Sequence, residues 1–181
     1  MIINRQQRTA VLVALRQGRT AIFPTESSYA IGCRINSRRG IAEIMQRKGR
    51  KDQRFTVVAA SVEQIRQFFR ISETRLKLGK KHWPGAVSLI VSNKYAVRVP
   101  AMALLRNLAK QAGAPLIASS LNQSGRPTIF DLKKLVGAFK DLPQIDVGKL
   151  PIRLPSTVIA VKRNRVVVVR LGSASIGSEF I

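Results

Sequence analysis

Apolar residues recur at helical intervals over residues 3–16, where Ala10, Val11, Ala14 and Leu15 share a face, and Gly18 supplies a stop. Two short apolar runs follow, 20–23 and 29–33, and both read as strands. Between them, Pro24-Thr25-Glu26-Ser27 lies where strand ends present side chains to a ligand. Ser37 is placed to cap a helix through Ile41, Ile44 and Met45 that runs into the basic segment Arg47-Lys48-Gly49-Arg50-Lys51, where Gly49 disfavours continuation. Residues 55–60 predict a strand. Ser61-Val62-Glu63-Gln64 has the spacing of a capping box for a helix to 69, and Ser72 caps the next, to about 82.

Trp83-Pro84-Gly85 is a turn signal, and the β-rich runs 86–91 and 96–99 after it form a hairpin across Ser92-Asn93-Lys94. Residues 101–112 are amphipathic through Leu104, Leu105 and Leu108, and Gly113 and Pro115 end that helix before a strand at 116–118. A polar loop is expected over 119–127, a short helix over 132–139, and a closing hairpin of 157–161 and 166–171 that turns at Lys162-Arg163-Asn164. Strands and helices alternate while hairpins intervene. The fold class is therefore α/β, an open twisted mixed sheet with flanking helices, in one domain over 1–181.

Charge changes the picture. The chain has 32 Lys and Arg against 9 Asp and Glu, a formal charge of +23. Such a field attracts polyanions, which makes nucleic acid or phosphate the leading partner class. The cations alternate with apolar residues along the whole chain, so they decorate folded elements and do not form a disordered arm. One cysteine, Cys33, excludes an intrachain disulfide, and with His82 as the lone histidine the chain cannot assemble a Cys/His zinc site. The polar N-terminus lacks the core of a signal peptide and no apolar run is long enough for a bilayer, so the expectation is a cytoplasmic protein with no membrane partner.

No Gly-rich loop ends in Gly-Lys-Ser/Thr, no Gly-x-Gly-x-x-Gly follows the first strand, and no serine-nucleophile or histidine-based triad is present. Lys48 and Arg50 follow a helix, where two cations can neutralise charge developing at a phosphorus, or simply sit solvated against the helix dipole. Thr25 can orient a small polar substrate or satisfy its own backbone. Arg98 alternates with Val97 and Val99 and therefore leaves the strand on the face opposite them, where it can pair with a carboxylate or meet water.

Five segments in register are similar to the YrdC-like threonylcarbamoyl-AMP synthase family. Phe23-Pro24-Thr25-Glu26-Ser27-Ser28-Tyr29-Ala30-Ile31-Gly32-Cys33 resembles its Pro-Thr-Glu-Thr-x-Tyr-x-Leu/Val-Gly stretch, and Lys48-Gly49-Arg50 its Lys-x-Arg. Trp83-Pro84-Gly85-Ala86-Val87-Ser88, followed by Ala96-Val97-Arg98-Val99-Pro100, resembles Trp-Pro-Gly-Pro-x-Thr and a strand carrying Val-Arg. Ser119-Ser120-Leu121-Asn122-Gln123-Ser124-Gly125 resembles the Ser-x-Asn loop that ends in Ser-Gly, and Pro155-Ser156-Thr157-Val158 the Pro-Ser-Thr-Val. The chain departs from the family where Arg54-Phe55 replaces a Lys and often a Pro, where Ser88 replaces Thr, and where the segments before Arg98 and Pro155 are short.

The resemblance implies condensation of L-threonine, bicarbonate or CO2, and ATP into threonylcarbamoyl-AMP with release of pyrophosphate. A tRNA threonylcarbamoyl-transferase complex would then modify the adenosine at position 37 of tRNA. It implies Lys48 and Arg50 as catalytic residues, Thr25, Arg54 and Arg98 at threonine, and Lys48, Arg50, Ser88, Ser120, Asn122 and Ser156 at ATP. Mg2+ is expected to arrive with ATP, with no metal site of the protein's own. RNA binding through the basic surface is a further expectation, and a non-catalytic RNA-binding or ribosome-associated protein on the same fold is the alternative.

Overall fold

Asn4 accepts hydrogen bonds from the Gln6 and Gln7 amides and so starts helix α1 (Arg5–Arg16), whose buried stripe is Val11, Leu12, Ala14 and Leu15. These details come from a computed structural model that describes residues 4–135, 137–163 and 165–177. Ile3 at the expected start of the first helix, Val136 within the expected 132–139 helix and the turn residue Asn164 lie outside the described residues. Strands β1 (Ala21–Pro24) and β2 (Tyr29–Arg34) pair antiparallel across the 25–28 turn. Ser37 caps α2 (Arg38–Lys48) by accepting from the Gly40 amide, and Gly49 ends it at φ 59°, a conformation glycine adopts without penalty.

Strand β3 (Phe55–Val58) leads to α3 (Val62–Phe68) and α4 (Glu73–His82), which start at the Ser61 and Ser72 caps. The capping box closes differently from expectation, because the Gln64 side chain accepts from the Ala60 amide at 2.8 Å, one residue before Ser61. The expected hairpin forms as β4 (Val87–Ile90) and β5 (Tyr95–Arg98), and helix α5 (Ala103–Ala112) follows. Burial of Leu104, Leu105 and Leu108 along α5 contributes about 1.5–3 kcal/mol per side chain.

Strand β6 runs over Leu116–Ser120, two residues beyond the expected strand, because Ser119 and Ser120 pair with Ile31 and Ala30 of β2. The ladder overrides the polar side chains. The expected helix at 132–139 is instead a pair of 3₁₀ turns, Leu132–Lys134, which ends at an extended Leu135, and Gly137–Phe139, which starts at a Gly137 with φ 65°. The chain closes with the hairpin β7 (Thr157–Lys162) and β8 (Arg165–Arg170).

The sheet has eight strands in the order β1-β2-β6-β3-β5-β4-β7-β8. The pairs β3/β5 and β4/β7 are parallel and the others antiparallel, which makes the sheet mixed, as the sequence predicts. One face carries Ile31, Val57, Leu89, Val97, Ile117 and Ile159 into a core completed by Ile44 of α2, Ile65 of α3 and Leu76 of α4. On the other face α1 and α5 cover only one end, where they pack on Ala21, Phe23, Ala30, Val58 and Leu116.

Candidate active site

Where α1 and α5 stop, the sheet face carries small and polar residues. Ala30, Thr56, Ala118 and Ser120 line a cavity of about 440 Å³ that the 25–28 turn and the segments around Arg50 and Pro155 enclose. Short side chains here leave room that Leu or Ile would fill. Arg50, Arg54, Arg98, Arg153 and Arg170 all line this space, and among the described residues no Asp or Glu does. A concave site with five guanidinium groups focuses positive potential and suits a polyanion.

Of the residues singled out from sequence, Thr25, Arg50, Arg54, Arg98, Ser120 and Ser156 line the cavity, whereas Lys48, Ser88 and Asn122 stand behind its wall. The Lys48 ammonium donates to Ser120 O at 2.5 Å, Asn122 O at 2.7 Å and Asn122 Oδ1 at 3.1 Å. Asn122 Oδ1 also accepts from Ser120 Oγ at 2.7 Å, and Asn122 Nδ2 donates to Gln123 O and Arg126 O. The expected cavity cation is thus a brace for the end of β6 and the loop after it. Removal from water lowers the Lys48 pKa to about 8, and the nearby Arg50 charge adds to that shift.

Ser88 is fully buried and shares a 2.8 Å hydrogen bond with Ser156 Oγ, so it reaches the cavity through Ser156. Thr25 Oγ1 donates to Ser28 O at 2.8 Å and accepts from the Ser28 amide at 3.2 Å, which commits the hydroxyl to its own turn. Arg54 is exposed and bound to Asp52 at 2.7 Å. Arg50 donates to Arg54 O and lies 4.9 Å from the Phe55 ring centroid, a cation–π contact.

Arg98 is 6% exposed. Its Nη2 donates to Glu26 Oε2 at 2.7 Å and its Nη1 to Gly85 O at 3.3 Å, while Nε is buried without a partner. Burial would raise the Glu26 carboxyl, but the Arg98 charge and the Met102 amide outweigh it and hold the group below its ordinary range.

Sequence reasoning passes over Arg153 and Arg170. Simple alternation would put Arg170 on the face of Val166 and Val168, which pack on the core. Ile159 pairs with Val168 but Val158 pairs with Arg170, so a bulge at Val169 moves Arg170 to the opposite face, beside Ser156. There Nη2 donates to Ser156 O at 2.8 Å. No sequence signal marks that bulge.

The model of the family described as telomere recombination, Sua5/YciO/YrdC, matches residues 13–172. The chain belongs to that family. Among its relatives, the Chromobacterium violaceum protein curated as threonylcarbamoyl-AMP synthase is 29% identical over 168 residues, 84% of this chain and 87% of the relative. A Pyrococcus abyssi threonylcarbamoyl-AMP synthase is also 29% identical, over 80% of this chain but 48% of its own length. The crystal structure of P. abyssi Sua5 complexed with L-threonine aligns with a TM-score of 0.79 and 27% identity, over 92% of this chain and 54% of that one. Escherichia coli YciO, at a TM-score of 0.80 and 24% identity, covers 98% of this chain and 95% of its own, and shares the fold.

Among the described residues no three His, Cys, Asp or Glu gather as ligands for a metal ion, and no helix is long and apolar enough to cross a membrane.

Proposed function

We propose that this protein is a cytoplasmic enzyme that condenses L-threonine, bicarbonate or CO2, and ATP into threonylcarbamoyl-AMP and pyrophosphate. The observation that supports this most is the arginine-lined cavity, with its five guanidinium groups and, among the described residues, no lining carboxylate. It occurs in a family whose curated relatives include threonylcarbamoyl-AMP synthases.

The threonine amine captures the one-carbon unit as a carbamate. A carbamate oxygen then attacks the α-phosphorus, forming the O–P bond as the bond to pyrophosphate breaks. Little covalent help is needed, so fixed positive charge and alignment carry the rate. Arg50 and Arg170 hold the triphosphate and stabilise the leaving pyrophosphate. Ser120 and Ser156 supply hydroxyl donors to the nucleotide, with Ser88 acting through Ser156. Arg98 takes the threonine carboxylate, and Arg54, with Thr25 shaping the turn opposite, closes the amino-acid side. Lys48 and Asn122 serve ATP by holding the Ser120 strand end. Magnesium would enter with ATP, held mainly by phosphate oxygens and water, as a hard cation that keeps much of its hydration shell commonly is.

The product passes to a tRNA threonylcarbamoyl-transferase complex for modification of adenosine at position 37 of tRNA. The charge of +23 supports RNA contact by the basic surface. The same charge, with Lys48 held in the wall, favours a second reading, a non-catalytic RNA-binding or ribosome-associated protein. Pyrophosphate release by the purified protein, with ATP, bicarbonate and L-threonine omitted in turn, separates the two. Release that requires all three supports the synthase, and no release alongside salt-sensitive RNA binding supports the alternative.

A further inference from the structure

Glu26 has no part in the roles above, yet its carboxylate joins three elements. From the 25–28 turn, Oε2 accepts from Arg98 Nη2 on β5 at 2.7 Å, and Oε1 accepts from the Met102 amide at 3.1 Å. Met102 is the N-cap of α5 and provides no side-chain cap, and this distant carboxylate meets the amide of the N-cap residue itself, one of the four amides a helix start leaves free, and brings a favourable charge to the helix N-terminus. Glu26 and Gly85 O together fix both terminal nitrogens of Arg98.

That leaves Nε, whose N–H is buried without a partner. An unmet buried donor costs about 1–3 kcal/mol, more when the group is charged. Arg98 lines the cavity. Nη2 carries a second N–H alongside Nε–H, and these two form the side-on edge of a guanidinium that matches the two oxygens of a carboxylate. An arginine not held at both terminal nitrogens would have many rotamers from which to meet the triphosphate instead.

We infer that Glu26 is a positioning residue for the amino-acid substrate, holding Arg98 so that its Nε/Nη2 edge receives the α-carboxylate. This rests on the synthase reading. Its charge also offsets that of Arg98, which reserves this arginine for a monoanion while the others serve phosphates.

The test is Glu26→Gln, which keeps the shape and removes the charge, with L-threonine and ATP varied separately in the pyrophosphate-release assay. The KM for L-threonine is expected to rise about tenfold or more, the size of one charge-assisted hydrogen bond, with kcat and the KM for ATP within about twofold. An unchanged threonine KM, or equal rises for both substrates, would overturn the inference. If the wild-type protein releases no pyrophosphate, the synthase reading fails, and ligand-free 15N NMR still decides the role of Glu26. Arg98 Nε–H should exchange slowly in the wild type and rapidly in Glu26→Gln with the backbone spectrum preserved, and equal exchange in the two would refute it. If Glu26→Gln does not fold, the wild-type Arg98 Nε–H resonance should move on addition of L-threonine and stay in place with L-threonine methyl ester, which lacks the carboxylate. Equal shifts with both, or no shift with either, would rule out the assigned role.

Discussion

The Lys48 ammonium lies 2.7 Å from the main-chain oxygen of Asn122 and 3.1 Å from its side-chain oxygen. Ser124 N returns a hydrogen bond to Lys48 O at 2.9 Å, so the end of α2 and the loop after β6 hold each other through both backbone and side chain. Three oxygens gather round one buried cation, and a neutral side chain of the same length cannot satisfy them.

Lys48→Met should therefore lower pyrophosphate release by about 10- to 100-fold through displacement of Ser120, the loss expected when a charged group's hydrogen bonds leave a site. A variant that retained full activity would show that the 119–126 loop holds its place without the brace.

The same residue sets a pH dependence. The Lys48 pKa is lowered to about 8 in the folded protein from an ordinary 10.5. The folded form thus releases its proton first as pH rises, and the unfolded chain holds more protons between those values. The stability contributed by this depressed group is fully present above about 10.5 and is lost as pH falls through about 8. The melting temperature of the wild type, relative to Lys48→Met, should rise over that window. A constant difference would show that Lys48 does not titrate there.

Arg170→Ala removes one cavity cation and the bonds to Ser156 O and Oγ. The KM for ATP should increase about 10- to 100-fold, with a smaller effect on L-threonine. Comparable losses for both substrates would place Arg170 outside the triphosphate subsite.

Gly79 sits inside α4, where alanine would ordinarily gain up to about 1 kcal/mol in helix propensity. A Cβ there would lie 2.4 Å from Cζ3 of Trp83, which is buried and tied to Val87 O at 2.8 Å by its Nε1–H. Overpacking of about 1–3 kcal/mol exceeds the propensity gain. Gly79→Ala is expected to lower the urea midpoint, and a rise would show that the indole moves aside.

Tyr29 is fully buried, and its hydroxyl donates toward Asp146 Oδ1 and Gly148 O and accepts from the Val147 amide. Tyr29→Phe removes the partner of the Val147 amide and of Gly148 O, while Asp146 Oδ1 keeps its bond from the Gly148 amide, and should cost about 1–3 kcal/mol in chemical denaturation. Burial pushes the Tyr29 hydroxyl up to about 12 from an ordinary 10.0, so this contribution is fully present below about 10 and is lost as pH rises through about 12.

Much of this was legible in the sequence where local chemistry decides structure. Ser37, Ser61 and Ser72 mark three helix starts, and the β4/β5 hairpin follows from its polar turn. The Arg98 alternation correctly puts it opposite Val97, and the fold makes that face the cavity side. What escaped depends on partners distant in sequence. Ser119 and Ser120 read as loop until β2 lies beside them. Lys48 reads as a free cation at a helix end, open to phosphate or to water, until the carbonyls of residues 120 and 122 surround it. Arg170 reads as a core-facing position until a bulge shifts the period by one residue.

The strand order also fixes a sequence of events in time. β2 and β3 stand one strand apart, and the strand between them is β6, residues 116–120. A ribosome making this chain delivers both long before the piece that joins them, so through roughly the first two-thirds of synthesis β2 has only its hairpin partner β1. The β1–β2 hairpin can form early, while the floor of the cavity, made jointly by Ala30, Thr56 and Ala118, cannot exist until Ser120 has left the exit tunnel.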